Sequence, residues 1–117
     1  MNPYLIPATQ LIVKQNPTDG GKYNSPLWTD IKNLKINAAG FKSGILFCNL
    51  NIDLKGQASI RITGEHTVGT ISIYPIKQTG MFSAQLPILD PQTIRVQIAV
   101  ASGEVSVFTS NLMALFL

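Results

Sequence analysis

The stretch from Asn49 to Gly64, NLNIDLKGQASIRITG, alternates apolar and polar residues on both sides of Gly56. A period of two sends successive side chains to opposite faces of a strand. One face then collects Leu50, Ile52, Leu54, Ala58, Ile60 and Ile62, and the other Asn49, Asn51, Asp53, Ser59, Arg61 and Thr63. The pattern reaches back through Cys48 to Leu46, so Leu46, Cys48, Leu50, Ile52 and Leu54 are expected on one buried face. Register limits how the two arms can meet. A two-residue turn at Lys55-Gly56 sets Ile52 against Ser59, apolar against polar. A three-residue loop, Lys55 to Gln57, restores Leu54 with Ala58, Ile52 with Ile60 and Leu50 with Ile62. Either that loop forms, or the chain arches between separate sheets.

Further strands extend outward from this stretch. WTDIKNLKIN, GILFCNLNIDL, ASIRIT, GTISIYPI, MFSAQLPI, TIRVQIAV, EVSVFT and LMALFL follow one another, separated by Gly, Pro, Asn and Asp at the spacing of sandwiches and barrels. In TIRVQIAVASGEVSVFT a two-residue turn at Ser102-Gly103 would pair Val100 with Val105 and Ile98 with Val107, which reads as a hairpin. Only LWTDIKNLKI offers a helical rival, through Leu27, Ile31 and Leu34. Pro75 and Pro87 place their strands at edges or bends, because proline lacks the ladder donor. The expected fold is therefore an all-β antiparallel β-sandwich of about seven to eight strands, jelly-roll-like, over residues 27–117. Residues 1–26, broken by Pro3, Pro7, Pro17 and Pro26, read as an extended arm or first strand, with QLIVK as a short strand and PTDGGKYNSP as turn chemistry. Fully stretched, such an arm would reach roughly 85–90 Å.

The chain has 117 residues, enough for one domain with a modest core. Charged residues make up 13%, about half of the ~25% usual in soluble domains. A folded monomer of this mass exposes roughly 6,200 Å², or about one charge per 400 Å². Part of the surface is therefore expected to be covered in the working state. The net charge is +3, from scattered bases rather than a basic tract, so nucleic acid is not the expected partner and an acidic protein surface suits equally well. No apolar run approaches the ~18–20 residues of a membrane span. The start, MNPYLIPATQ, has no basic segment and is interrupted by prolines, so it does not read as a signal peptide.

Catalytic chemistry finds few residues. Cys48 is the single cysteine and falls on the buried face; His66 is the single histidine and reads as a loop-tip residue in TGEHTVG. No nucleophile elbow, phosphate loop or set of zinc ligands is present. A carboxylate pair such as Asp53 with Glu65 has nothing to select it. The chain is expected to be non-enzymatic, without metal or cofactor.

Phe47, Tyr74 and Phe108 alternate with the apolar sets, on faces that an isolated monomer would make polar. LMALFL does not alternate, which fits a strand covered on both sides. The Pro-broken start, the Thr/Ser/Asn-rich strands and the NLMALFL end together resemble the small all-β virion proteins of tailed phages, either capsid decoration (cement) proteins or tail components. That resemblance implies synthesis in the host cytoplasm, residence in the virion, and homo-oligomers, trimers favoured, docked on a major capsid or other virion protein. Contacts are expected from Tyr4, Leu5, Ile6, Leu11, Trp28, Phe47, Tyr74, Phe108, Phe116 and Leu117. Two other readings stand beside it. A carbohydrate-binding or adhesin module would present Tyr23, Trp28 and Tyr74 as coplanar rings. An OB-like binder of single strands would gather Phe47, Arg61, Tyr74, Arg95 and Phe108 on one face.

Overall fold

The computed structural model describes residues 11–15, 20–37, 44–64, 73–88 and 93–116. Seven strands run through them: β1 (Leu11–Gln15), β2 (Gly21–Tyr23), β3 (Thr29–Asn37), β4 (Gly44–Gly64), β5 (Ile73–Ile76), β6 (Gly80–Ile88) and β7 (Thr93–Phe116). All pairings are antiparallel, and no helix occurs among the described residues.

One ladder is the frame. β4, of 21 residues, and β7, of 24, pair from Gly44–Phe116 at one end to Gly64–Ile94 at the other. β1, β2 and β3 line the free edge of β7, while β6 and β5 line that of β4. A straight strand of 24 residues would span roughly 80 Å, yet the longest dimension of the chain is 58 Å. β1 bonds the C-terminal end of β7 and β3 its N-terminal end, but β1 and β3 touch. The ladder therefore folds back over itself, and its two ends become the layers of a sandwich around one core. The first layer holds β6, the beginning of β4, the end of β7 and β1. The second holds β5, the end of β4, the beginning of β7 and β3.

The alternation of Asn49–Gly64 explains the core. Leu46, Cys48, Leu50, Ile52, Ala58, Ile60 and Ile62 are all buried, so β4 keeps one phase throughout. β7 does not. Its buried set moves from Ile94, Val96, Ile98 and Val100 to Val105 and Val107, then back to Leu112 and Ala114. Each change of phase coincides with one extra residue on β7. Ala101 falls between the partners of Gln57 and Ala58, and Phe108 between those of Asn51 and Ile52. A bulge flips the face of the chain beyond it and bends the strand.

The hairpin expected at Ser102-Gly103 is not formed, nor is the three-residue loop at Lys55–Gln57. Both segments run through as strand, with Gly56 opposite Gly103, which is the arching alternative. A local apolar match at Val100–Val105 loses to a longer one, because β4 offers Ala58, Leu54 and Ile52 to Val100, Val105 and Val107. The two glycines permit the bend. Their φ values are 120° and 79°. A Cβ on Gly56 would stand 2.0 Å from the Ser102 carbonyl oxygen, and one on Gly103 1.6 Å from that of Lys55.

The helical spacing of Leu27, Ile31 and Leu34 has a different origin. Asp30 pairs with Gln97 and Lys35 with Arg95, so four residues between them face one on β7. Asn33 takes φ 58° in that bulge, a left-handed conformation Asn tolerates. Ile31 and Leu34 both reach the core, while Leu27 is exposed. The sheet also extends into residues 1–26. Leu11–Gln15 forms β1, one residue further along than the expected QLIVK, and β2 lies inside the stretch read as turns, its entry fixed by the Gly20 N–H donating to the Val107 carbonyl at 2.9 Å.

Candidate subunit interface

Directly opposed residues of an antiparallel pair share a face, so the ladder registers define what the first layer shows outward. Pro87, Ile45 and Leu115 form one row across β6, β4 and β7, and β1 continues it at Ile12. Gln85, Phe47 and Met113 form the next, continued at Lys14. Ser83, Asn49 and Asn111 follow, then Met81, Asn51 and Thr109. The twelve positions on β6, β4 and β7 include no ionisable side chain. Ile45 is 40% exposed and Met81 65%, while Phe47, Met113 and Leu115 are half-buried. Phe108, the bulged residue beside Thr109, is 52% exposed. Within the polar rows the Ser83 hydroxyl donates to Asn49 Oδ1 at 2.7 Å.

The second layer shows a polar chain instead. The Arg61 guanidinium donates to Gln97 Oε1 through Nη2 and, at 3.0 Å, through Nε. Gln97 Nε2 donates to Asp30 Oδ1 at 2.8 Å, and Arg95 sits 3.6 Å from Asp30 Oδ2. Trp28 lies over the guanidinium, 4.5 Å from carbon to ring centre. Gln97 is buried, so this link across β4, β7 and β3 holds their register with both amide ends satisfied. Ile73, opposite Arg61 on β5, is exposed.

These placements sort the residues expected at contacts. Phe47 and Phe108 are on the outward side of the first layer, and Trp28 lies on the second layer against Arg61. Tyr74 is a correction. It pairs with Ile60, on the core side, and meets Phe82 edge to face at 5.6 Å. Ile73 and Ile76 have opposite parity. Closing the core with Ile76 opposite Ala58 turns Tyr74 inward and Ile73 out. Leu11 pairs with Phe116, and Phe116 with Gly44, at ladder positions of the core-side parity. Tyr4, Leu5, Ile6 and Leu117 lie outside the described residues. Ile45, Pro87, Met113 and Leu115 escape a sequence reading because LMALFL looks like one apolar run. Register splits it into inward Leu112 and Ala114 and outward Met113 and Leu115.

The two other groupings come apart. Tyr23 packs on the core, donates its hydroxyl proton to the Gly20 carbonyl and accepts from the Lys32 N–H at 2.9 Å, so Tyr23, Trp28 and Tyr74 form no common platform. Arg61 and Arg95 belong to the second layer, Phe47 to the first and Tyr74 to the core side, so that set does not converge either.

Cys48 is fully buried, and burial pushes its thiol up to about 12, which leaves no thiolate for nucleophilic work near neutral pH. Among the described residues no three His, Cys, Asp or Glu side chains gather as a metal site would need. Two open grooves, one of about 520 Å³ beside Asn33, Lys35, Asn37 and Thr93 and one of about 480 Å³ beside Gly56–Ser59 and Pro75–Lys77, have no carboxylate or histidine among the described residues that line them.

No protein-family model and no curated protein matches the chain. Solved structures do share the fold. A subunit of the Bacillus endospore appendages, described as disulfide-linked pili, superposes with a TM-score of 0.58 at 13% identity, over 93% of this chain and 89% of its own. The crystal structure of FLHE gives 0.58 at 8% identity, over 93% and 98%. VP2 of the infectious bursal disease virus subviral particle gives 0.52 at 14% identity, over 91% of this chain and 32% of its own. Likeness at these identities is likeness of fold.

Proposed function

We propose that this chain is a structural, non-enzymatic subunit that works assembled with copies of itself, as a component of a virion. The observation that carries this reading is the surface. Leu27, Ile45, Ile73, Met81 and Phe108 are 40–74% exposed on a body with only fifteen charged side chains. Single exposed apolar residues are ordinary, but aromatic and Met enrichment with few charges is the composition of interface cores. The fold is shared with a pilus subunit and with a viral particle protein, both of which are building blocks. Within a virion the reading we favour is decoration: symmetric copies dock on a shell and bridge its subunits. Each contact contributes modest strength, and many copies add through multivalency.

Native mass spectrometry of the full chain at low and at hundred-micromolar concentration tests the structural reading. Discrete multimers are expected. A single copy throughout overturns it. Immunogold labelling of intact particles that contain the chain tests decoration, which requires the label on the outside of the shell.

A further inference from the structure

We infer that two copies meet face to face through the outward side of the first layer, as stacked sheets about a two-fold axis; this rests on the structural reading above. Charge selects the occupant, and area sets the strength of the contact. On β6, β4 and β7 the outward positions there are apolar, amide or hydroxyl, and the ionisable residue in register with them, Lys14, stands on the edge strand β1. An acidic or basic partner would bury its charges against groups that cannot neutralise them. A second copy brings none on these three strands, and every amide or hydroxyl carries both donor and acceptor, so each can pair with its own kind across a two-fold axis. The most apolar rows, Pro87–Ile45–Leu115 and Gln85–Phe47–Met113, lie side by side and form one patch. Three strands about 4.8 Å apart and four rows about 6.8 Å apart give a footprint of roughly 400 Å² per copy. Twice that lies below the ~1,200–2,000 Å² of stable pairs and suits a weak contact repeated many times. Sheets stacked this way pack about 10 Å apart with strands within about 30° of each other. The contact closes at two copies, so it joins pairs whatever other surface builds a larger set.

The test uses the full chain by sedimentation velocity with three variants. Phe47→Lys puts a charge at the centre of the face. Gln85→Glu does so on the exposed edge strand, where folding tolerates it. Leu27→Lys charges the second layer as a control. The first two are expected to weaken pairing by about 100-fold or more, as loss of a central anchor does, and the third by less than about 3-fold. Asn49→Cys, near the middle of the face, is expected to form a covalent dimer with itself on mild oxidation. Multimers that persist in Phe47→Lys and Gln85→Glu, with no Asn49→Cys dimer, overturn this inference while sparing the structural reading. A wild-type chain that stays single overturns both. A lower melting temperature with unchanged mass in both charged variants means residues of the same chain cover the face, and overturns the inference as well.

Discussion

Replacing Gly103 with alanine strikes the point on which the two-layer arrangement turns. Gly103 has φ 79°, where an L-residue loses about 1–2 kcal/mol to its own carbonyl contacts. The new Cβ would also stand 1.6 Å from the Lys55 carbonyl oxygen, which is backbone held in the β4–β7 ladder. That oxygen can retreat only if the strands part beside Gly56, which gives up two or so ladder hydrogen bonds at about 1 kcal/mol each. The sum is roughly 3–4 kcal/mol against a total stability of about 6–18 kcal/mol for a chain of this length. At about 4 °C per kcal/mol, the melting temperature falls by roughly 12–16 °C. Gly80→Ala is the internal control. Gly80 has φ 137°, but an added methyl there would meet nothing within 4 Å, so it carries strain without collision and is expected to lose only about 1–2 kcal/mol. Thermal and urea unfolding followed by circular dichroism measure both. If Gly103→Ala melts within about 4 °C of wild type, or no lower than Gly80→Ala, the close passage of β4 and β7 at the bend is wrong.

Ser110 lies in the core row of β7, opposite Leu50, and its buried hydroxyl has no hydrogen-bond partner among the described residues. Ser110→Ala removes a desolvated polar group, so urea denaturation is expected to show stability unchanged or raised by up to about 1 kcal/mol; a loss beyond that points to a partner for the hydroxyl. Cys48 sets a pH dependence. Its thiol rises from 9.0 to about 12 on folding, so the folded state holds the proton more tightly. The contribution is complete below pH 9 and is lost as pH climbs through 12, by an amount of the order of a few kcal/mol. Stability of wild type should therefore fall more steeply over that window than stability of Cys48→Ala, and equal slopes in the two proteins would contradict the burial of the thiol.

The strand content and the core of β4 were legible because a period of two is a local signal, and Leu46 to Ile62 hold it without a break. Bulges are less legible. Ala101 and Phe108 carry nothing in their chemistry that marks an extra residue, and the phase changes around them imitate a turn. The Ser102-Gly103 dipeptide strengthens the imitation, since a glycine that lets two strands pass closely looks like one that lets a chain reverse. Which reading wins depends on β4, some fifty residues earlier in the chain, and pattern within one segment does not contain that partner. The outward face was half legible for the same reason. Phe47 and Phe108 stand out against their polar neighbours. Tyr74 is misplaced by pattern alone because Ile73 and Ile76 compete for the core across Pro75, and only the pairing of Ile76 with Ala58 decides between them. The Trp28–Arg61–Gln97–Asp30 link is invisible in the sequence, because its members come from different strands and meet only after register is set.

The scarcity of charge makes the dependence of assembly on salt the most direct measurement. Contacts between uncharged faces are not screened, and apolar contacts gain from excluded ions, whereas charge pairing weakens as ionic strength rises. The full chain at about 100 μM, sedimented in roughly 0.05 M and 1 M sodium chloride, is expected to be multimeric in both and at least as large in the higher salt. A single copy in either, or multimers that dissolve in the higher salt, would contradict assembly through apolar faces.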